Sequence, residues 1–281
     1  MKNYTILVFL ISFSLAAPSL AQNASEVKQK YILAPTSSIV PMYETVISDT
    51  HYRIAVDDYV KRLYISCNDP NFKIDGKPVI DRPLSSFKNK DEAKLIMGWG
   101  HYLMMDDNWY AAFDFKDLND DSKVWSVFQY DMGKDQKKLE QGKKERLQNS
   151  YQRMMVSVPR EGEYMISHAA EIDGIKYDIA VDNILKSLYV QTSDPDFKLD
   201  GKAIIGQPLS SFENRQNVRY MSNWGNYLKL DDHWYAMLGK QYGIDDDAKV
   251  LFVFQYDMER EENKLQQIRK ENLERLKSSS R

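Results

Sequence analysis

From Tyr52 to Phe87 the chain reads YRIAVDDYVKRLYISCNDPNFKIDGKPVIDRPLSSF, and from Tyr177 to Phe212 it reads YDIAVDNILKSLYVQTSDPDFKLDGKAIIGQPLSSF. The likeness continues through WGHYLMMDDNWYA (Trp99 to Ala111) and WGNYLKLDDHWYA (Trp224 to Ala236). It closes on KVWSVFQYDM at Met132 and KVLFVFQYDM at Met258. The offset is 125 residues, becoming 126 after a one-residue insertion in the acidic loop, and about half the aligned positions are identical. A repeat of this length is one supersecondary unit duplicated, each copy large enough for a core of its own.

Within each copy the hydrophobic period is two. Ile54 and Val56 alternate with polar neighbours, as do Leu63 and Ile65, and Ile179, Val181, Leu188 and Val190 repeat the pattern. Alternation of this kind predicts short half-buried strands. The dipeptides Asp75-Gly76, Asp200-Gly201 and Asp173-Gly174 mark tight turns, because Gly supplies φ > 0. Leading strands are expected over 38–49 and 163–172, closing strands over 124–130 and 250–256, and short helical openings at Pro83 and Pro208. Asp131 and Asp257 are good helix caps ahead of charged, Leu-bearing segments. The expected fold is therefore α+β: two tandem repeats of a mostly antiparallel β-sheet module, each followed by a charged helix.

The expected division is a signal peptide over 1–21, a flexible N-terminal segment over 22–37 and a first repeat module over 38–132. A connecting helix and linker follow over 133–158, then a second module over 159–258 and a C-terminal helix over 259–281. Lys2, the apolar run Ile6 to Ala17 and the small residues before Gln22 form a secretory signal with its cut after Ala21. The expected location is periplasmic or secreted. No later apolar run reaches the roughly 18 residues that a membrane-spanning helix needs.

The chain carries 38 basic and 41 acidic residues, a formal net charge of −3, which becomes −4 once Lys2 is cut away. Residues 131–153 and 258–281 are net basic, so the repeats hold the acidic excess. That balance argues against nucleic acid, whose binding rests on basic patches. The single cysteine, Cys67, alternates with Leu63 and Ile65 and reads as a buried, inert thiol.

Catalytic chemistry is not evident. None of the four histidines (His51, His101, His168, His233) has a histidine counterpart in the other copy. There is no HExxH, paired Cys/His set or GxSxG elbow, and no cofactor or metal is expected. Asp117, Asn119 and Asp121 have the spacing that opens an EF-hand, but Ser122 replaces the required Gly and Phe128 the closing Glu, so a solvated turn is expected.

Aromatic residues beside acids recur in the second shared stretch. The candidate binding residues there are Asp106, Asp107, Trp109, Tyr110, Asp231, Asp232, Trp234 and Tyr235. Trp and Tyr dominate protein-binding hot spots, and acidic rims steer basic partners. Alternation also sends Trp109 and Tyr110 to opposite faces, so at least one ring should be core. The run DPxFKxDGKxxIxxPLSSF resembles small repeat modules of bacterial envelope proteins, a likeness that carries no function across. The functional expectation is an exported, non-enzymatic periplasmic module that binds another protein, as an inhibitor or a toxin-neutralising immunity protein. The alternatives are a carbohydrate or peptidoglycan binder, or an envelope enzyme with an unrecognised site.

Overall fold

A computed structural model of the chain describes residues 29–35, 39–57, 62–106, 108–114, 117–130, 155–159, 164–182, 186–222, 224–239 and 243–279. Residues 1–28, most of the segment between the two repeats and Asp107 lie outside them.

The first repeat builds β1 (Lys30–Leu33), β2 (Ile39–Ile47), β3 (Thr50–Asp57) and β4 (Arg62–Cys67). A two-stranded ribbon follows, β5 (Lys73–Ile74) and β6 (Lys77–Pro78), then β7 (Lys94–Ile96), β8 (Gly100–Met104), β9 (Tyr110–Phe113) and β10 (Ser126–Tyr130). Eight of these form one antiparallel sheet in the order β1-β2-β3-β4-β10-β9-β8-β7. The second repeat gives the same order from β11 (Met155–Ser157), β12 (Tyr164–Ile172), β13 (Ile175–Asp182), β14 (Ser187–Thr192), β17 (Arg219–Met221), β18 (Gly225–Lys229), β19 (Tyr235–Gly239) and β20 (Phe252–Gln255). Its ribbon is β15 (Lys198–Leu199) and β16 (Lys202–Ala203).

The architecture is thus mostly β: two similar eight-stranded antiparallel half-barrels in tandem. The only long helix among the described residues is α1 (Met258–Ser279). The Asp257 carboxylate accepts the Arg260 N–H at 3.1 Å, which caps it as expected. The helix expected after the first module falls largely outside the described residues. Residues 155–157, assigned to its linker, instead form edge strand β11, and Lys30–Leu33 pairs as β1 although its surroundings carry no period. Both are short edge strands whose ladder to one neighbour, rather than any pattern of their own, holds them. The expected helical openings after Pro83 and Pro208 shrink to three-residue 3-10 turns, Leu84–Ser86 and Leu209–Ser211.

The hairpin turns obey the right-handed twist of their strands. Both central residues have positive φ at Asp75-Gly76, Asp200-Gly201, Asp173-Gly174 and also Ser48-Asp49, the primed geometry that two-residue hairpins favour.

Two tryptophans curl the sheets. Trp99, just beyond edge strand β7, donates its indole N–H to the Leu33 carbonyl at the end of the opposite edge, β1, at 3.1 Å. Trp224 does the same to Ser157 of β11 at 3.3 Å. The rings fill the concave face, 4.8 Å from Phe128 and 4.6 Å from Phe254. Each concave face therefore has its own aromatic core, with Tyr64, Tyr110 and Phe128 in one and Tyr189, Tyr227 and Phe254 in the other.

The convex faces are joined. Ile54, Ile65, Leu103 and Val127 lie under Phe72, Val79 and Leu84 of the excursion between β4 and β7, and the second module repeats this with Phe197, Ile204 and Leu209. These two layers form one continuous cluster through Ile47, Tyr52, Ile172 and Tyr177. The seam carries matched hydrogen bonds from equivalent glutamines: Gln129 Nε2 donates to the Glu171 carbonyl at 2.6 Å, and Gln255 Nε2 to the Val46 carbonyl at 2.7 Å. Thr45 also bonds the Gln255 amide oxygen. Each module's first hairpin so reaches into the other, as in an isologous dimer interface.

Asp69 and Asp194 tie the excursions back. Each carboxylate accepts two backbone N–H groups, from Asn71 and His51 or from Asp196 and Lys176. Those bonds hold both carboxyls below the usual range. A depressed folded pKa gives stability that is present above the unfolded value, near 4, and is lost as pH falls through the folded one. Asp69→Asn with Asp194→Asn is accordingly expected to flatten the acid limb of stability against pH below about 4. An unchanged acid limb would show that these bonds contribute nothing to it.

Candidate functional site

Asp106 and Asp231 sit in the turns joining β8 to β9 and β18 to β19. The Asp106 Oδ1 accepts the N–H groups of Asn108 at 2.8 Å and Trp109 at 2.6 Å, and Asp231 Oδ1 accepts those of His233 at 2.7 Å and Trp234 at 2.6 Å. Each carboxylate thereby fastens its own turn, an Asx geometry. The second acid of the later pair, Asp232, is free to face outward: its side chain is 95% exposed, with Lys229 Nζ at 3.5 Å. Asp107 lies outside the described residues.

The aromatic residues divide by face. Trp109 is only 6% exposed and meets Phe72 at 4.7 Å, while Trp234 is 3% exposed and meets Phe197 at 4.8 Å. Both belong to the convex core. Tyr110 and Tyr235 turn to the concave faces and stack on Phe128 at 5.2 Å and Phe254 at 5.4 Å. Tyr110 is buried, whereas Tyr235 is half-buried.

Of the eight candidates, Asp231, Asp232 and Tyr235 come together in one cleft of about 1030 Å³ between β17–β19 and the first turns of α1. Its other walls include Arg219, Tyr227, Lys229, Glu259 and Glu262. Glu262 of α1 accepts from Arg219 Nη1 at 2.5 Å and from the Tyr227 hydroxyl, which fixes the helix against the sheet. Burial, reinforced by Glu262, pushes the phenols of Tyr227 and Tyr235 above their ordinary range. At neutral pH both remain O–H donors and are poor bases. The cleft can hold a ligand by hydrogen bonds, four carboxylates and two cations.

No family model, curated protein or solved structure matches this chain.

The sequence reading missed Arg219, Tyr227, Glu259 and Glu262. Tyr227 had a signal, since it repeats Tyr102 in the shared WGxYL stretch. The glutamates had none, because only the return of α1 across the sheet brings them to the turn.

A second groove, of about 620 Å³, lies in the first module between Asp114, Asp117, Asn119, Asp121 and Trp125. The EF-hand-like spacing here serves a turn: Asn119 Oδ1 accepts the Asp121 N–H and Ser122 Oγ accepts the Asn119 N–H, both at 3.0 Å. The same loop offers carbonyls to Leu84 and Ser85 of the excursion, at 2.8 and 3.0 Å. Among the described residues, no group of three or more His, Cys, Asp or Glu side chains is placed to hold a metal ion. Cys67 is fully buried, and burial pushes its thiol up to about 11.

Because the turn uses only an acceptor oxygen, Asp231→Asn keeps its bonds and Asp231→Ala does not. The alanine variant is expected to lose about 0.5–1.5 kcal/mol, the net worth of a hydrogen bond whose donors are partly solvated, and the asparagine variant less. Equal melting temperatures for the two would mean that solvent satisfies the turn without the side chain.

Proposed function

We propose that this chain is exported to the periplasm and works there as a non-enzymatic module that binds another protein through a basic surface of that partner. An inhibitor, or an immunity protein that neutralises a toxin, is one instance of such a module. The observation that carries this reading is the cleft beside α1. Asp231, Asp232, Glu259 and Glu262 outnumber Arg219 and Lys229, and a half-buried tyrosine forms part of its wall. An aromatic anchor with an acidic rim is what a basic partner would be steered to and held by. The acidic excess of the repeats works in the same direction.

The test captures partners from an envelope extract on the immobilised mature protein, then measures association of a purified partner over a salt series. Asp232→Asn with Glu259→Gln is expected to slow association several-fold and flatten its salt dependence. An unchanged on-rate for that double variant would place the partner elsewhere.

A carbohydrate ligand is the second reading, favoured by Trp125. This ring is 44% exposed beside the amide and carboxylates of the 620 Å³ groove, and an exposed indole offers an apolar face for a sugar ring. Co-sedimentation with peptidoglycan, lost on Trp125→Ala, would establish it in place of the first.

A further inference from the structure

We propose that the concave face of the first half-barrel binds a small oxyanion, a carboxylate or a phosphate, on the guanidinium of Arg53 and the hydroxyl of Ser66. Arg53 on β3 lies directly opposite Ser66 on β4, so the two side chains share one face. They share it with Ala55 and Tyr64 of the concave core, by the two-residue alternation of each strand.

The donors there are not used up. Arg53 Nη2 donates to Ser126 Oγ at 3.3 Å, and Ser126 Oγ donates its own hydrogen bond to the Cys67 carbonyl at 2.9 Å. Arg53 Nε is buried without an acceptor, and the fully buried Ser66 hydroxyl beside it has only the Tyr64 phenol, two residues back on the same strand, within reach. Among the described residues no carboxylate forms an ion pair with this guanidinium. Glu44, its cross-strand neighbour, is held instead by Lys30 at 2.6 Å.

The second half-barrel shows the same place closed. The repeat offset puts Asp178 at the position of Arg53, Gln191 at Ser66 and Phe252 at Ser126. Tyr189 donates to Gln191 Oε1 at 2.8 Å, and the Gln191 side chain in turn bonds Asp178 across the strand pair. One copy thus carries a polar set linked from Tyr189 through Gln191 to Asp178, and the other a cation whose Nε donor is idle.

Leaving a buried guanidinium N–H without an acceptor is costly, and an anion that accepts from it and from the neighbouring hydroxyl removes the cost. The planar fork of a guanidinium matches the oxygens of carboxylate and phosphate in particular. Arg53 keeps partial exposure, so such an anion can reach it from solvent. This site is separate from the cleft beside α1 and does not depend on the protein-binding reading.

The experiment titrates the mature full-length protein with sodium phosphate and, separately, sodium acetate, against sodium chloride at matched ionic strength. Melting temperature and heat of binding are followed together. At least one oxyanion is expected to bind saturably and raise the melting temperature where chloride does not, and which one responds assigns the ligand. Arg53→Met should weaken that binding at least tenfold. Arg53→Asp with Ser66→Gln, which installs the polar pair of the second module, should abolish it while the protein stays folded. The double variant decides the matter should Arg53→Met fail to fold. Two results overturn the proposal: neither oxyanion acts on the wild type beyond chloride, or the folded double variant keeps the full response.

Discussion

Trp234→Ala is expected to destabilise the protein by about 3–5 kcal/mol, the usual cost of truncating a buried tryptophan. For a chain of this size that is a fall in melting temperature of roughly 6–20 °C. The ring is 3% exposed, tilted against Tyr177 at 6.4 Å and edge-on to Phe197 at 4.8 Å. Removing it empties a space lined by strand, excursion and seam at once, and such a site cannot collapse from one side. Its cluster runs into the first module through Tyr52 and Ile47, so the loss is expected to lower one shared transition rather than split off a second. Calorimetry on the variant measures both. A melting temperature within about 2 °C of wild type, with weakened partner binding, would return Trp234 to the surface and to the binding residues.

Gly225→Ala comes next in size, for a backbone reason. Gly225 has φ +141°, and a Cβ there would stand 2.5 Å from the Gly239 carbonyl oxygen and 2.6 Å from Met237 Cε. The methionine end can move, but the carbonyl belongs to the ladder beside it and cannot. Strain of about 1–3 kcal/mol for the conformation and about 1–3 kcal/mol for forced overpacking together predict a loss of about 2–6 kcal/mol. Gly225 follows Trp224, so displacing it also moves the indole that reaches Ser157. The alanine variant should therefore weaken the clasp, read as faster amide exchange in β11 and β17. Wild-type stability with unchanged exchange would show that this contact relaxes at little cost.

These two substitutions fall inside the WGxYL and DDxWYA stretches, whose repeated acids and aromatics suggest a binding surface. Much of that repetition serves the core and its turns. Trp109 and Trp234 fill the convex layer, Asp106 and Asp231 fasten turns, and Trp99 and Trp224 close the curl. Of the candidate acids and rings in the second copy, Asp231, Asp232 and Tyr235 line the open cleft, and Asp231 also fastens the turn. Alternation along β19 implied that Trp234 and Tyr235 would part, but not which face would be dry. That depends on the excursion lying over the convex side, a contact between residues about 40 positions apart.

What the sequence by itself determined is local. The two-residue period placed most strands within a few residues, because side chains on a pleated backbone alternate whatever lies beyond them. Asp-Gly dipeptides placed turns, since few other pairs tolerate two positive φ values in succession. Duplication showed that the strand order of one copy recurs in the other. Tertiary structure alone decided the rest. The edge strands β1 and β11 exist because a neighbour offers a ladder, and the curl exists because an indole reaches across 66 or 67 residues of chain. The shared core and its paired glutamines need both modules at once. Arg53 reads in the sequence as one more polar residue on an alternating strand. Only the closing of the sheet around it leaves a guanidinium nitrogen with no acceptor, because whether a charge is solvated depends on what folds over it and not on its neighbours in the chain.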